Sequence, residues 1–132
     1  MKENYKYTLD FKVRDYECDM QAVVNNSVYQ NYLEHTRHEF LLASGIDFAA
    51  LAKDKINLIV VRIEIDYKYP LTSGDTFWVG LNIERLSKVR FQLIQDIYRT
   101  SDEKLIVQAK VVTTALNPRR RPFVPDFIEN LF

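Results

Sequence analysis

Three glycines are all that 132 residues contain, at positions 45, 74 and 80, so neither a GxGxxG dinucleotide turn nor a GxxxxGK[ST] phosphate loop can be written anywhere in the chain. Rossmann-type and P-loop readings fall with them. The single Cys18 cannot close an intramolecular disulfide, and residues 1 to 20 alternate charges with aromatics where a signal peptide needs an apolar core. A reducing cytoplasm is the expectation. No apolar run approaches the roughly 20 residues that cross a bilayer, so no membrane span is expected. Neither sign of charge is in excess: Lys plus Arg and Asp plus Glu number 18 each, which removes the basic surplus of a phosphate-driven nucleic-acid binder. Arg119, Arg120 and Arg121 form the only local basic run. A GxSxG nucleophile elbow is missing, and His35 and His38 are the only imidazoles.

What remains is a chain that should fold. Hydrophobic residues make up 47% and charged residues 27%, ordinary for a globular protein, and the length suits one domain spanning 1–132. From Tyr5 to Arg14 the pattern alternates strictly, with Tyr5, Tyr7, Leu9, Phe11 and Val13 apolar and Lys6, Thr8, Asp10, Lys12 and Arg14 polar. That period of two is a half-buried strand. Residues 59–69, 77–83, 89–98 and 105–116 repeat it, with hairpin loops at Ser87-Lys88 and at Ser101-Asp102-Glu103. One-sided alternation over five strands points to an antiparallel sheet with one wet face.

Residues 27 to 44 change the period. At 100° per residue Val28, Tyr29, Tyr32, Leu33, Thr36, Phe40 and Ala43 share one face, with Gln30, Glu34 and Arg37 opposite, which describes an amphipathic helix. Asn25 or Asn26 suits its N-cap and Gly45 its stop; a shorter helix is expected over 48–53. One long helix is the only element able to cover the apolar face of the sheet. The expected fold is therefore α+β, a curved antiparallel β-sheet wrapped around one long central α-helix.

Chemistry is sparse. His35 and His38 lie at i and i+3 beside Glu34 and Glu39, yet HExxH is absent and no other ligand completes a set, so no metal site is expected. Glu39 falls at the edge of the apolar face, but it lies about 20 Å along the helix from Asn26 and suits a structural ion pair, for instance with a strand arginine, better than a shared site. Asp15, Glu17 and Asp19 precede the helix. They either decorate a turn or bring a carboxylate to a helix start, whose unpaired N–H groups and positive dipole stabilise an oxyanion. Lys88 and Arg90, with the arginines 119 to 121, either form solvated loops or bind an anionic substrate carrier.

The run from Asp19 through Met20, Gln21, Ala22, Val23, Val24, Asn25, Asn26, Ser27 and Val28 to Tyr29, followed by Tyr32, Glu34, Arg37 and Phe40, resembles the first motif of hotdog-fold thioesterases. It is similar to the 4-hydroxybenzoyl-CoA thioesterase-like branch, and more so to plant acyl-lipid thioesterases of the methylketone synthase type, whose motif reads like DxxGVVNNxVYxxYxxHxRHE. Tyr67 to Asp75 is similar to the family's YxxPLxxGD turn, and Arg119 to Pro125 to its exit from the last strand. The resemblance spans residues 13 to 125. It implies a hotdog fold and hydrolysis of an acyl thioester carried by CoA or by acyl carrier protein, with Asp19 attacking the carbonyl or activating water and the Asn26 backbone N–H receiving the thioester oxygen. Asn25 and Tyr29 would shape the pocket; Tyr32, Leu33, Val60 and Phe77 line it or are plain core.

The resemblance implies no metal or cofactor, since a thioester carbonyl is electrophilic enough for one carboxylate and one helix-end donor. It also implies at least a homodimer joined edge to edge, and in many members a homotetramer. One position departs: where the family carries Gly, this chain has Ala22, so either Ala holds a positive φ with strain or the turn has a slightly different shape. That departure leaves a non-catalytic acyl-thioester binding protein as the alternative. A hotdog dehydratase would pair a His with its carboxylate, and no His is near Asp19 in sequence.

Overall fold

The computed structural model describes all 132 residues. β1 (Tyr7–Lys12) leads through a short 3-10 turn at Asp15–Glu17 into α1 (Asn26–Ala43) and α2 (Phe48–Lys53). β2 (Asn57–Tyr67), β3 (Thr76–Arg85), β4 (Phe91–Arg99) and β5 (Leu105–Leu116) follow, and the chain closes with the two-residue β6 (Pro122–Phe123) and α3 (Asp126–Glu129). All pairings are antiparallel, in the order β1-β3-β4-β5-β2 with β6 beside the end of β5. The five alternating segments are thus strands, and the sheet packs against one long helix as the hotdog arrangement requires.

The period-two alternation decides which side chains meet that helix. Phe77, Val79, Leu81 and Ile83 of β3 point inward with Phe91, Leu93, Gln95 and Ile97 of β4, against Tyr29, Tyr32, Leu33, Thr36 and Phe40 of α1. Phe77 is completely buried, stacked on Phe11 at 5.1 Å and tilted against Tyr32 at 4.7 Å. Burying such a ring contributes roughly 1.5–3 kcal/mol relative to exposure. Val124 and Ile128 from the C-terminal segment complete the far half of the core, an element the alternation did not reveal.

Local chemistry fixes the helix ends. The Asn25 side chain accepts from Ser27 N–H, so Asn25 is the N-cap and Asn26 the first helical residue; after Ala43 the chain turns out through Gly45 at φ +84°.

Three side chains depart from their expected places. Tyr5 lies outside the strand on the outer face, edge-on to Trp78 at 5.6 Å, with its hydroxyl donating to Asp96 at 2.6 Å. It fits because Gly80 has no side chain: a Cβ there would stand 2.6 Å from the Tyr5 ring. Arg37 is half-buried and does not point to solvent; its Nη1 donates to Gln95 Oε1 at 3.1 Å while Gln95 Nε2 donates to the Leu33 carbonyl at 2.9 Å. Burial lowers the Arg37 pKa, and no carboxylate forms an ion pair with it. Glu39 meets no strand arginine; its nearest partner is His35 on its own helix at 4.0 Å.

Candidate active site

The loop entering α1 is a narrow ribbon folded on itself. Cys18 and Val24 form an antiparallel bridge, Asn25 N–H donates to Glu17 O at 3.1 Å, and Asp19 N–H donates to Val23 O at 2.8 Å. Asp19 through Ala22 make the turn, closed by Ala22 N–H to Asp19 O at 3.0 Å. Ala22 sits at φ +62°, the left-handed region that glycine occupies without cost. Asp19 is exposed; its Oδ1 accepts from Gln21 N–H at 2.9 Å and its other carboxylate oxygen has no partner in the chain.

One peptide N–H is left over at the helix start. Asn25 Oδ1 takes Ser27 N–H at 3.0 Å and the Ser27 hydroxyl at 2.9 Å, while Asn25 O takes Val28 N–H at 2.9 Å. The Asn26 N–H finds no acceptor in the chain, and it lies at the positive end of an 18-residue helix. Beside it opens a recess of about 210 Å³ lined by Val23, Val24, Asn26, Tyr29, Tyr67 and Tyr69, among others. Tyr29 is buried, and its hydroxyl accepts from Leu71 N–H at 2.8 Å; burial pushes its phenol pKa up. Tyr67, read from sequence only as part of a strand and a turn motif, reaches across from β2 and donates to the Asn26 carbonyl at 3.3 Å. The sequence signal for it was the YxxPLxxGD motif it opens.

Thus Asn26 and Tyr29 line one recess, while Asn25 does not line it and serves as the cap of the helix beside it. Asp19 does not line it, but lies two residues along the same ribbon from Glu17, which pairs with Asn25, a step of about 7 Å. Lys88 and Arg90 stand elsewhere. The recess lies where Lys68 and Tyr69 N–H groups bond Ile106 at the start of β5, whereas Arg90 precedes Phe91, which pairs with Thr113 near the end of that strand. The separation along β5 is roughly 25 Å within one chain. The arginines 119 to 121 share that far end, on the turn after β5 that the Asn117 side chain caps through Arg119 and Arg121 N–H.

Phe77 is core, and Val60 lies 42% exposed on the free edge of β2. A larger groove, about 870 Å³, runs along the other flank of α1 against β1 and mixes Asp10, Lys12, Arg14, Asp15 and Glu17 with His35. Its floor is pinned by the Tyr32 hydroxyl donating to Glu17 at 2.8 Å; burial first, then this bond, raises the Tyr32 pKa. With mixed charge and no free helix-start donor, it lacks the chemistry of the smaller recess.

A carboxylate and an unpaired helix-start N–H on one short ribbon can, respectively, take a proton or attack a carbonyl, and hold the oxygen that becomes negative. The family model of the thioesterase-like superfamily matches residues 13–132. The chloroplastic acyl-acyl carrier protein thioesterase ATL3 of Arabidopsis thaliana is 35% identical over 127 residues, covering 96% of this chain and 67% of its own length. A 1,4-dihydroxy-2-naphthoyl-CoA hydrolase of Rippkaea orientalis is 32% identical over 121 residues, covering 90% of this chain and 86% of its own. In fold, the chain superposes on the crystal structure of a 1,4-dihydroxy-2-naphthoyl-CoA thioesterase from Synechocystis with a TM-score of 0.87 at 20% identity, covering 95% of this chain and 93% of that one.

Proposed function

This chain belongs to the thioesterase-like superfamily and is a thioester hydrolase of hotdog fold, and on that premise we propose that it cleaves an acyl thioester to the free acid and a thiol, with Asp19 as base or nucleophile and the Asn26 N–H as oxyanion donor. The observation that carries the reading is the unpaired Asn26 N–H at a capped helix start, with Asp19 on the ribbon leading into it. As the carbonyl carbon becomes tetrahedral, its oxygen gains charge toward the N–H and the helix dipole. The thiolate then leaves. Asn25 keeps the donor in place through Ser27, and Tyr29 walls the recess.

The carrier is CoA or acyl carrier protein; the names of the two relatives divide between them. The protein acts as a homodimer, or as a homotetramer built from such dimers, in a reducing cytoplasm. In an antiparallel pairing of two β2 edges the far end of one sheet lies beside the helix start of the other chain. Lys88 and Arg90 would then meet the anionic carrier at the partner's site. No helix is long and apolar enough to cross a membrane.

Thiol release from a panel of acyl-CoA and acyl carrier protein thioesters tests this. Wild type releases thiol, and Asp19→Asn, folded, loses about 100-fold or more of that rate; full activity in the variant removes Asp19 from the mechanism. A non-catalytic acyl-thioester binding protein is the second reading, favoured by Ala22 in a turn that calls for Gly. Its signature is ligand-dependent stabilisation without turnover.

A further inference from the structure

We propose that Tyr67 is a positioning residue for the Asn26 N–H, an inference that rests on the reading of Asn26 as oxyanion donor. The peptide joining Asn26 to Ser27 is held from both sides. Its N–H is taken by Asn25 Oδ1 at 3.0 Å, and its carbonyl accepts the Tyr67 hydroxyl at 3.3 Å. The first tie is local to the loop. The second comes from the last residue of β2, 41 positions away, and is the side-chain link from the sheet edge to the first helical residue.

Its neighbours show why the link is specific. The Tyr67 ring packs on Tyr29 at 5.7 Å, and the Tyr29 hydroxyl accepts from Leu71 N–H, whose own carbonyl accepts from Val24 N–H at 2.9 Å. The β2–β3 connection and the ribbon before α1 are therefore clamped together by two tyrosines side by side. Tyr29 is buried and does its part as core. Tyr67 is 42% exposed at the recess wall, and its hydroxyl goes to the carbonyl of the residue whose own N–H is free. With both ends of the 26–27 peptide fixed, the preceding N–H keeps one direction into the recess, as a preorganised donor must.

The test separates this role from simple packing. Tyr67→Phe keeps the ring and removes the hydroxyl; Tyr67→Leu removes both. The expected result for Tyr67→Phe is a kcat about 3- to 10-fold lower with KM and melting temperature unchanged, together with a moved backbone amide resonance for Asn26. Tyr67→Leu raises KM as well, because the recess loses a wall. An unchanged kcat and an unmoved Asn26 resonance in Tyr67→Phe overturn the proposal, as does a melting temperature that falls in step with kcat. Should wild type release no thiol from any thioester, the hydrolase reading fails while the Asn26 resonance still decides whether Tyr67 sets that amide.

Discussion

Ala22 is the residue at which sequence and backbone pull hardest against each other. Its φ of +62° places a methyl where the following carbonyl crowds it, a cost of about 1 kcal/mol or more for any residue but Gly. Ala22→Gly should therefore stabilise the fold by about 0.5–1 kcal/mol, read as a rise of a few degrees in melting temperature. If the strain also tilts Asp19, the same variant turns over thioesters faster than wild type; a gain in stability with no change in rate would confine the effect to the turn. The departure at Ala22 was legible in the sequence, because the motif asks for Gly there; that the turn keeps its positive φ with Ala in place was not, since a differently shaped turn was equally open. The Tyr67 bond to Asn26 was not, since it joins residues 41 apart and depends on where β2 ends against the helix.

At the scale of elements, strand alternation carried most of the information, and its failures have one cause. A period of two assigns faces only while a residue stays in its strand: β1 begins at Tyr7, so Tyr5 is free to fold back over the outer face onto Trp78. A helical wheel likewise treats α1 as isolated, whereas Gln95 rises from β4 between helix and sheet and draws Arg37 inward. The same Tyr5 strap half-buries Asp96, and this burial raises its pKa against the opposing pull of the Tyr5 hydrogen bond. A carboxyl that binds its proton more tightly in the fold than in the unfolded chain favours folding below the unfolded value near pH 4 and loses that advantage as pH rises through its folded pKa. Asp96→Asn keeps an acceptor for Tyr5 without the charge. It should raise stability at pH 7 by about 0.5–1 kcal/mol, and the advantage should shrink toward zero near pH 4 in parallel thermal melts.

For the whole molecule, the decisive feature is an open side. β2 is an 11-residue edge strand whose outer edge is unpaired and whose Val60, Val61, Ile63 and Tyr67 are 42%, 42%, 39% and 42% exposed. Edges of this length and apolarity pair with something unless blunted by charge or proline. Centred on Ile63, an antiparallel second copy sets Arg62 opposite Glu64 and Glu64 opposite Arg62, so the edge is charge-complementary to itself. For the homodimer proposed above, joined through this edge, Ile63→Lys should give a monomer in light scattering where wild type gives a dimer, and lower activity with it. A dimer that persists in this variant, or a fully active monomer, rejects β2 as the joint.

The turn that carries Asp19 also carries Met20 at its tip, fully exposed, while the other methionine opens the chain. A thioether in that position is chemically soft and open to mild peroxide, which converts it to the sulfoxide and marks the peptide by one oxygen atom. The loop therefore contains its own footprinting reporter. Slower oxidation of Met20 in the presence of a thioester, read by mass, detects a molecule seated over the turn whether or not it is ever cleaved, and so distinguishes an occupied hydrolase from an idle one.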